Sequence, residues 1–126
     1  MIKQRGIALV AALSGLLAVV LAATGSHILP QDGADAQKLW ATALQIHMFH
    51  TVALLGIAAL IQPGSPPLMP WSGIAMMLGL LLFSGSLYLR ASDFVPVPGL
   101  LAPLGGLLLM AAWLVLIVTL IRNSRN

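Results

Sequence analysis

Cysteine and glutamate are both missing from the 126 residues. Without cysteine the chain can form no disulfide, no thiolate metal site and no cysteine nucleophile. Without glutamate its acids are Asp32, Asp35 and Asp93, all outside the long apolar runs. A carboxylate proton relay buried in lipid is therefore excluded. Charge of either sign is scarce: Asp, Glu, Lys and Arg make up 7% of the chain, against 60% hydrophobic residues. Soluble domains carry roughly a quarter charged residues, so the chain is read as a membrane protein. Its formal charge of +3 comes from basic residues that flank apolar runs. Such residues record topology, and no nucleic-acid partner is implied.

What is present in quantity is apolar sequence. Four runs, at about residues 6–24, 43–61, 71–89 and 101–121, approach the roughly 20 residues needed to cross the hydrocarbon core. Turn-forming residues separate them: Pro30-Gln31-Asp32-Gly33, Pro63-Gly64-Ser65-Pro66-Pro67 and Pro96-Val97-Pro98-Gly99. Pro70 and Pro103 sit where proline is tolerated, near a helix's first turn, because the missing N–H has no intrahelical acceptor there. The expected architecture is all-α: one transmembrane domain over residues 1–126, an integral membrane four-helix bundle in the lipid bilayer.

Lys3 and Arg5 precede the first run and Arg122 and Arg125 follow the fourth. An even number of spans puts both ends on one side, and the positive-inside rule makes that side cytoplasmic. Asp32, Asp35, Lys38, Arg90 and Asp93 then face outward, and Trp40 and Trp71 stand as interfacial anchors. The competing reading of the N-terminus, a signal peptide cleaved near Leu21-Ala22-Ala23, is disfavoured by the length of the apolar run. A faint internal repeat pairs Thr24-Gly25-Ser26 with Ser84-Gly85-Ser86, and chance likeness among Leu-rich and Ala-rich helices accounts for it.

Polar residues inside the runs mark the candidate site. His47, His50, Thr51 and Leu54 share one helical stripe, and Ser84 and Tyr88 share another. Counted from the ends of the apolar runs, His50 lies roughly 10 Å deep and Ser84 roughly 7 Å deep. A polar cluster of His27, His47, His50, Ser84, Ser86 and Tyr88 is expected in the outer half of the bundle, with Ser84 and Tyr88 toward the second helix's histidine. Gly85 with Ser86, Gly105 with Gly106, and Ser14, Ala18 and Ala22 at four-residue spacing are expected to let helices approach closely.

The plain reading of His50 is a neutral imidazole hydrogen-bonded across helices. A metal site on His47 and His50, with His27 third, is the sharper alternative. It lacks a neighbouring acid or thiolate, so no metal or cofactor is expected. A haem between His27 and His50 is disfavoured by their unequal depth. A serine hydrolase pairing Ser84 with His50 lacks an orienting acid and a nucleophile elbow. Arg90 and Asp93 read as an interfacial pair or as solvated charges.

These residues carry a resemblance. Phe83-Ser84-Gly85-Ser86-Leu87-Tyr88-Leu89 matches letter for letter the FSGSLYL run of the small membrane-protein family known as domain of unknown function 423. Met48-Phe49-His50 with Ala53-Leu54-Leu55 is similar to that family's QMYHALALL. Pro103-Leu104-Gly105-Gly106 and Trp113-Leu114 are similar to its TPIGG and GW elements, and Gly25-Ser26-His27 resembles its GAHGL turn. The family includes bacterial inner-membrane proteins and a related animal transmembrane protein, so the resemblance implies a multi-pass protein of the bacterial inner membrane. It puts His27, His50, Ser84, Gly85, Ser86, Tyr88, Pro103, Gly105 and Gly106 on motif positions. His47 departs from the pattern, which usually has glutamine there, and Arg90 stands where an apolar residue is common. The resemblance implies fold and location and brings no activity.

Two functions follow as expectations. The first is a non-enzymatic structural or accessory subunit that packs against another membrane protein or another copy of itself. The second is a binding or transport module in which His50, Ser84 and Tyr88 line an outward-facing pocket for a lipid head group, quinone or small solute.

Overall fold

The computed structural model describes residues 2–30 and 33–125. Four helices make up the fold: α1 (Ile2–Ile28), α2 (Ala34–Leu60), α3 (Leu68–Ser92) and α4 (Leu101–Asn123). No strand occurs among the described residues. All four helices are long and apolar enough to cross a membrane, which fits the all-α integral membrane bundle.

Each helix runs further than the apolar segment that announces it, because polar residues extend the ends. α2 begins at Ala34, so Asp35 and Lys38 belong to a helix and not to a link. Asp35 lies in its first turn, where a carboxylate complements the helix dipole. Asp32 falls outside the described residues. α2 stops where Ile61 turns to extended backbone, ahead of Pro63 and of Gly64 at φ 90°. Ser65 staples this turn: its hydroxyl accepts from the Gln62 N–H at 2.8 Å and donates to the Leu60 carbonyl at 3.2 Å. α3 closes on Asp93 in the left-handed conformation (φ 56°), its N–H bonded to the Leu89 carbonyl at 3.1 Å. Pro70 and Pro103 both sit in the first turns of their helices, as their missing N–H requires.

The helices pack in the order α1–α2–α3–α4. The broadest interface joins α3 to α4, followed by α2 with α3 and α1 with α2; α1 touches α3 only lightly. Among the described residues no Cα of α4 comes within 8 Å of one in α1 or α2. Glycine sets the tightest crossing. A Cβ on Gly105 would collide with the backbone nitrogen of Phe83, and one on Gly79 would lie 2.9 Å from the Leu109 backbone nitrogen. The main core, including Ile7, Leu54, Ile57, Met76, Leu109 and Ala112, fills the half of the bundle nearer the termini. At that level Ile7 lies against Gly73, where a Cβ would come within 2.9 Å of it. Between α1 and α3 runs a groove, with His47 and Leu54 of α2 at its floor.

Candidate functional site

The polar residues divide into two constellations, one on each side of α2. His47 and His50 lie three positions apart on one broad stripe, and different neighbours take them. Toward α1 and α3, His47 Nε2 lies 2.9 Å from the Ser14 hydroxyl and Nδ1 lies 2.9 Å from the Tyr88 hydroxyl. Ser14 is in turn 2.7 Å from the Thr51 hydroxyl. The result is one continuous chain, Thr51–Ser14–His47–Tyr88, that ties three helices together. Tyr88 is held in place by an edge-on contact with Trp40, ring centroids 4.8 Å apart at 65°.

Toward α4, the indole N–H of Trp113 donates to His50 Nε2 at 3.1 Å, and His50 Nδ1 lies 2.8 Å from the Ile46 carbonyl. Indole nitrogen only donates and carbonyl oxygen only accepts. These two bonds therefore fix His50 in the tautomer with its proton on Nδ1, leaving no open position on the ring.

Several expectations need correction. Ser84 meets neither His50 nor Tyr88; its buried hydroxyl donates to the Ala43 carbonyl at 3.0 Å. Antiparallel register sets Ser84 opposite Ala43 and Tyr88 beside Trp40, so His50 lies well below Ser84. Ser86 is buried and donates to the Phe83 carbonyl of its own helix at 2.9 Å, apart from the cluster. His27 is exposed in the last turn of α1 and joins no cluster. Among the described residues no three His, Cys, Asp or Glu side chains come together, since His47 and His50 diverge and His27 is at the helix end. Gly85 is not a packing residue: a Cβ there would meet nothing within 4 Å. Gly106 has room as well, with its nearest contact at 3.6 Å, whereas Gly105 is the tight position. Trp40 is no lipid-facing anchor. It is buried, donates to the Leu21 carbonyl at 3.1 Å and covers Gly25. Trp71 is exposed, 59% accessible, as an anchor should be.

Ser14 and Trp113 are the hydrogen-bonding partners of the histidines that sequence reasoning did not identify. The four-residue spacing of Ser14 with Ala18 and Ala22 suggests only packing, whereas a hydroxyl in the middle of an apolar run also needs a partner. With these bonds made, no buried side-chain nitrogen or oxygen lacks a partner among the described residues.

The groove between α1 and α3 encloses about 290 Å³. Val10, Leu13 and Leu17 form one wall and Met77, Leu80 and Leu81 the other. Ser14, His47, Ser84, Gly85 and Tyr88 complete the lining, and almost all of the groove's surface is apolar. His50 does not line it, which corrects the expected pocket: the imidazole at the groove is His47. Leu13, Leu17 and Leu81 are all at least half exposed, so the groove opens sideways, toward lipid if the helices span a bilayer. Chemically, it offers apolar walls with one hydrogen-bonding imidazole–phenol pair and no Asp, Glu, Lys or Arg.

Comparison with known proteins agrees with the membrane character. The family described as "Protein of unknown function (DUF423)" matches residues 21–106. The Escherichia coli (strain K12) UPF0382 inner membrane protein YgdD is 36% identical over 117 residues, which cover 92% of this chain and 89% of the relative. The Bacillus subtilis UPF0382 membrane protein YwdK is 34% identical over 116 residues, 88% of this chain and 92% of the relative. A Staphylococcus epidermidis UPF0382 membrane protein is 33% identical over 112 residues, 88% and 91% of the two chains. No solved structure matches the chain. Shared sequence over nearly the full length of these relatives, a family match that reaches from α1 into α4 and four membrane-spanning helices lead to one conclusion: the chain belongs to the DUF423 family and is a multi-pass inner-membrane protein.

Proposed function

We propose that the protein is a non-catalytic binding module that takes a lipid-soluble molecule from the bilayer into the groove between α1 and α3. The single observation that carries this reading is the His47–Tyr88 pair, 2.9 Å apart, at a groove whose walls are otherwise apolar. Concave, mostly apolar sites with a few convergent polar groups are the usual form of small-molecule sites. The apolar walls hold the body of the ligand, and the imidazole–phenol pair holds its polar end. Catalysis is not part of the proposal: the Ser84 hydroxyl is committed to a backbone carbonyl and no Asp or Glu lines the groove.

The accessory-subunit reading drew its motive from the small-residue helix faces. Of the glycines named for close approach, Gly105 is taken up by the backbone of α3 within the molecule, while Gly106 has its nearest contact at 3.6 Å. Gly85, whose small side faces open space, belongs to the groove. Ligand binding therefore has the better support.

We also assign both termini to the cytoplasmic side. Lys3, Arg5, Arg122 and Arg125 are exposed at one end of the bundle, and positive charge concentrates on that side. The groove then lies near the middle of the membrane, with its Tyr88 end toward the outer side.

Native mass spectrometry of protein released from lipid nanodiscs tests the binding reading. Wild type should retain a small apolar molecule that Leu81→Trp, which fills the groove, loses. Equal retention by the two proteins, or none by either, would contradict it.

A further inference from the structure

The groove's polar end is built from a hydrogen-bonded chain that can run in either direction. A neutral imidazole carries one N–H and one acceptor nitrogen, and each hydroxyl both donates and accepts. With the proton on Nε2, His47 donates to Ser14, Ser14 donates to Thr51, and Tyr88 donates to Nδ1. The phenol oxygen then has lone pairs left for a donor at the groove. With the proton on Nδ1, Thr51 donates to Ser14, Ser14 donates to Nε2, and His47 donates to Tyr88. The phenol O–H is then free for an acceptor. Every link keeps its length in both directions, at 2.7 Å for Ser14–Thr51 and 2.9 Å for the two bonds to His47. His50, by contrast, is locked by Trp113 and Ile46 and has no such freedom.

We infer that the groove accepts both the carbonyl and the hydroxyl form of an uncharged, lipid-soluble ring compound of the quinone and quinol class, Tyr88 donating to the one and accepting from the other. This rests on the binding reading above and adds the ligand's chemistry to it. Charge complementarity selects an uncharged ligand, because no Lys or Arg lines the groove to neutralise a phosphate or carboxylate. Size selects a ring. A cavity of about 150 Å³ holds one benzene, so about 290 Å³ holds roughly ten to twelve non-hydrogen atoms, a substituted ring with its tail left in the bilayer. The length of the groove agrees: Met77 to Tyr88 covers roughly 16 Å of α3.

Thr51 makes the inference testable, because it matters to one direction more than to the other. If Thr51 lacks its hydroxyl, the direction in which Ser14 must donate to it loses its terminal acceptor. The opposite direction keeps every bond from Ser14 to Tyr88. Thr51→Val should therefore weaken the hydroxyl form selectively.

The experiment is equilibrium binding of a decyl-substituted benzoquinone, its hydroquinone and decanoate to nanodisc-embedded wild type, Thr51→Val, His47→Gln and Tyr88→Phe. Wild type should bind quinone and hydroquinone within about threefold of each other and decanoate at least tenfold more weakly. Thr51→Val should shift the ratio about fivefold toward quinone, one hydrogen bond's worth. His47→Gln, whose amide also both donates and accepts, should keep both forms, and Tyr88→Phe should lose affinity for both. Binding of only one form by wild type, an unchanged ratio in Thr51→Val, or preference for decanoate would overturn the inference and leave the binding reading standing. Binding of neither ring compound overturns the inference; it overturns the binding reading too only if wild type and Leu81→Trp also retain the same native molecules.

Discussion

Trp113 on α4 donates its indole N–H to His50 on α2 at 3.1 Å, across two helices whose Cα atoms nowhere come within 8 Å of each other. With both ring nitrogens engaged, His50 stays out of the groove, where the imidazole is that of His47.

Loss of this bridge should cost stability and spare binding. Trp113→Phe leaves His50 Nε2 without a donor, at a cost of about 1–3 kcal/mol. A double-mutant cycle with His50→Leu should return a coupling of about 0.6–1.7 kcal/mol, the range of interhelical hydrogen bonds in membranes. Unfolding in mixed micelles with increasing denaturing detergent measures both.

Gly105 and Gly106 are neighbours in sequence and should respond oppositely to alanine. The added Cβ at 105 lands on the α3 backbone at Phe83, while at 106 it meets only the Phe83 ring at 3.6 Å. Gly105→Ala should destabilise by about 1–3 kcal/mol through forced separation of α3 and α4. Gly106→Ala should be neutral or slightly stabilising, since alanine favours helix. Thermal aggregation in detergent distinguishes the two.

Ser84 and Tyr88 share a helix face and carry different tasks. Ser84→Ala removes a donor to the Ala43 carbonyl and should cost about 0.6 kcal/mol. It should leave ligand retention within about twofold of wild type, less than one hydrogen bond's worth. Tyr88→Phe should abolish most retention with the fold intact. Parallel retention and unfolding measurements on the two variants separate anchoring of the ligand from pinning of the helices.

The absence of cysteine makes topology easy to read. Val95→Cys, in the α3–α4 link, should react with a membrane-impermeant maleimide applied to spheroplasts, and Ser124→Cys should react only after the membrane is opened. The reverse pattern would invert the orientation assigned from Lys3, Arg5, Arg122 and Arg125.

The four helices were legible because apolar length and proline punctuation act locally. Pro63 and Gly64 stop α2 whatever surrounds them, and Pro70 and Pro103 can only open a helix. The partners of the polar groups were less legible. Helical spacing correctly grouped His47, His50 and Thr51 on one stripe, yet a stripe is broad enough to face two neighbours. Which imidazole meets which neighbour depends on how α1 and α4 approach α2, and no local pattern carries that. Depth counted from Ala43 misled for a related reason. α2 starts nine positions earlier, and the register that results sets Ser84 level with Ala43 and not with His50. Gly85 followed the same logic: a small residue in a membrane helix invites close packing only where another helix arrives, and nothing comes within 4 Å of a Cβ placed there. His47, expected in the cluster although it departs from the family pattern, is the hub of the network.

The most direct test is a crystal structure grown from a lipidic mesophase. The account predicts elongated non-protein density between Val10–Leu17 of α1 and Met77–Tyr88 of α3, ending in a polar atom within hydrogen-bond distance of the Tyr88 hydroxyl. A groove closed by α1 lying flat on α3, or filled by a helix from a second copy, would contradict it.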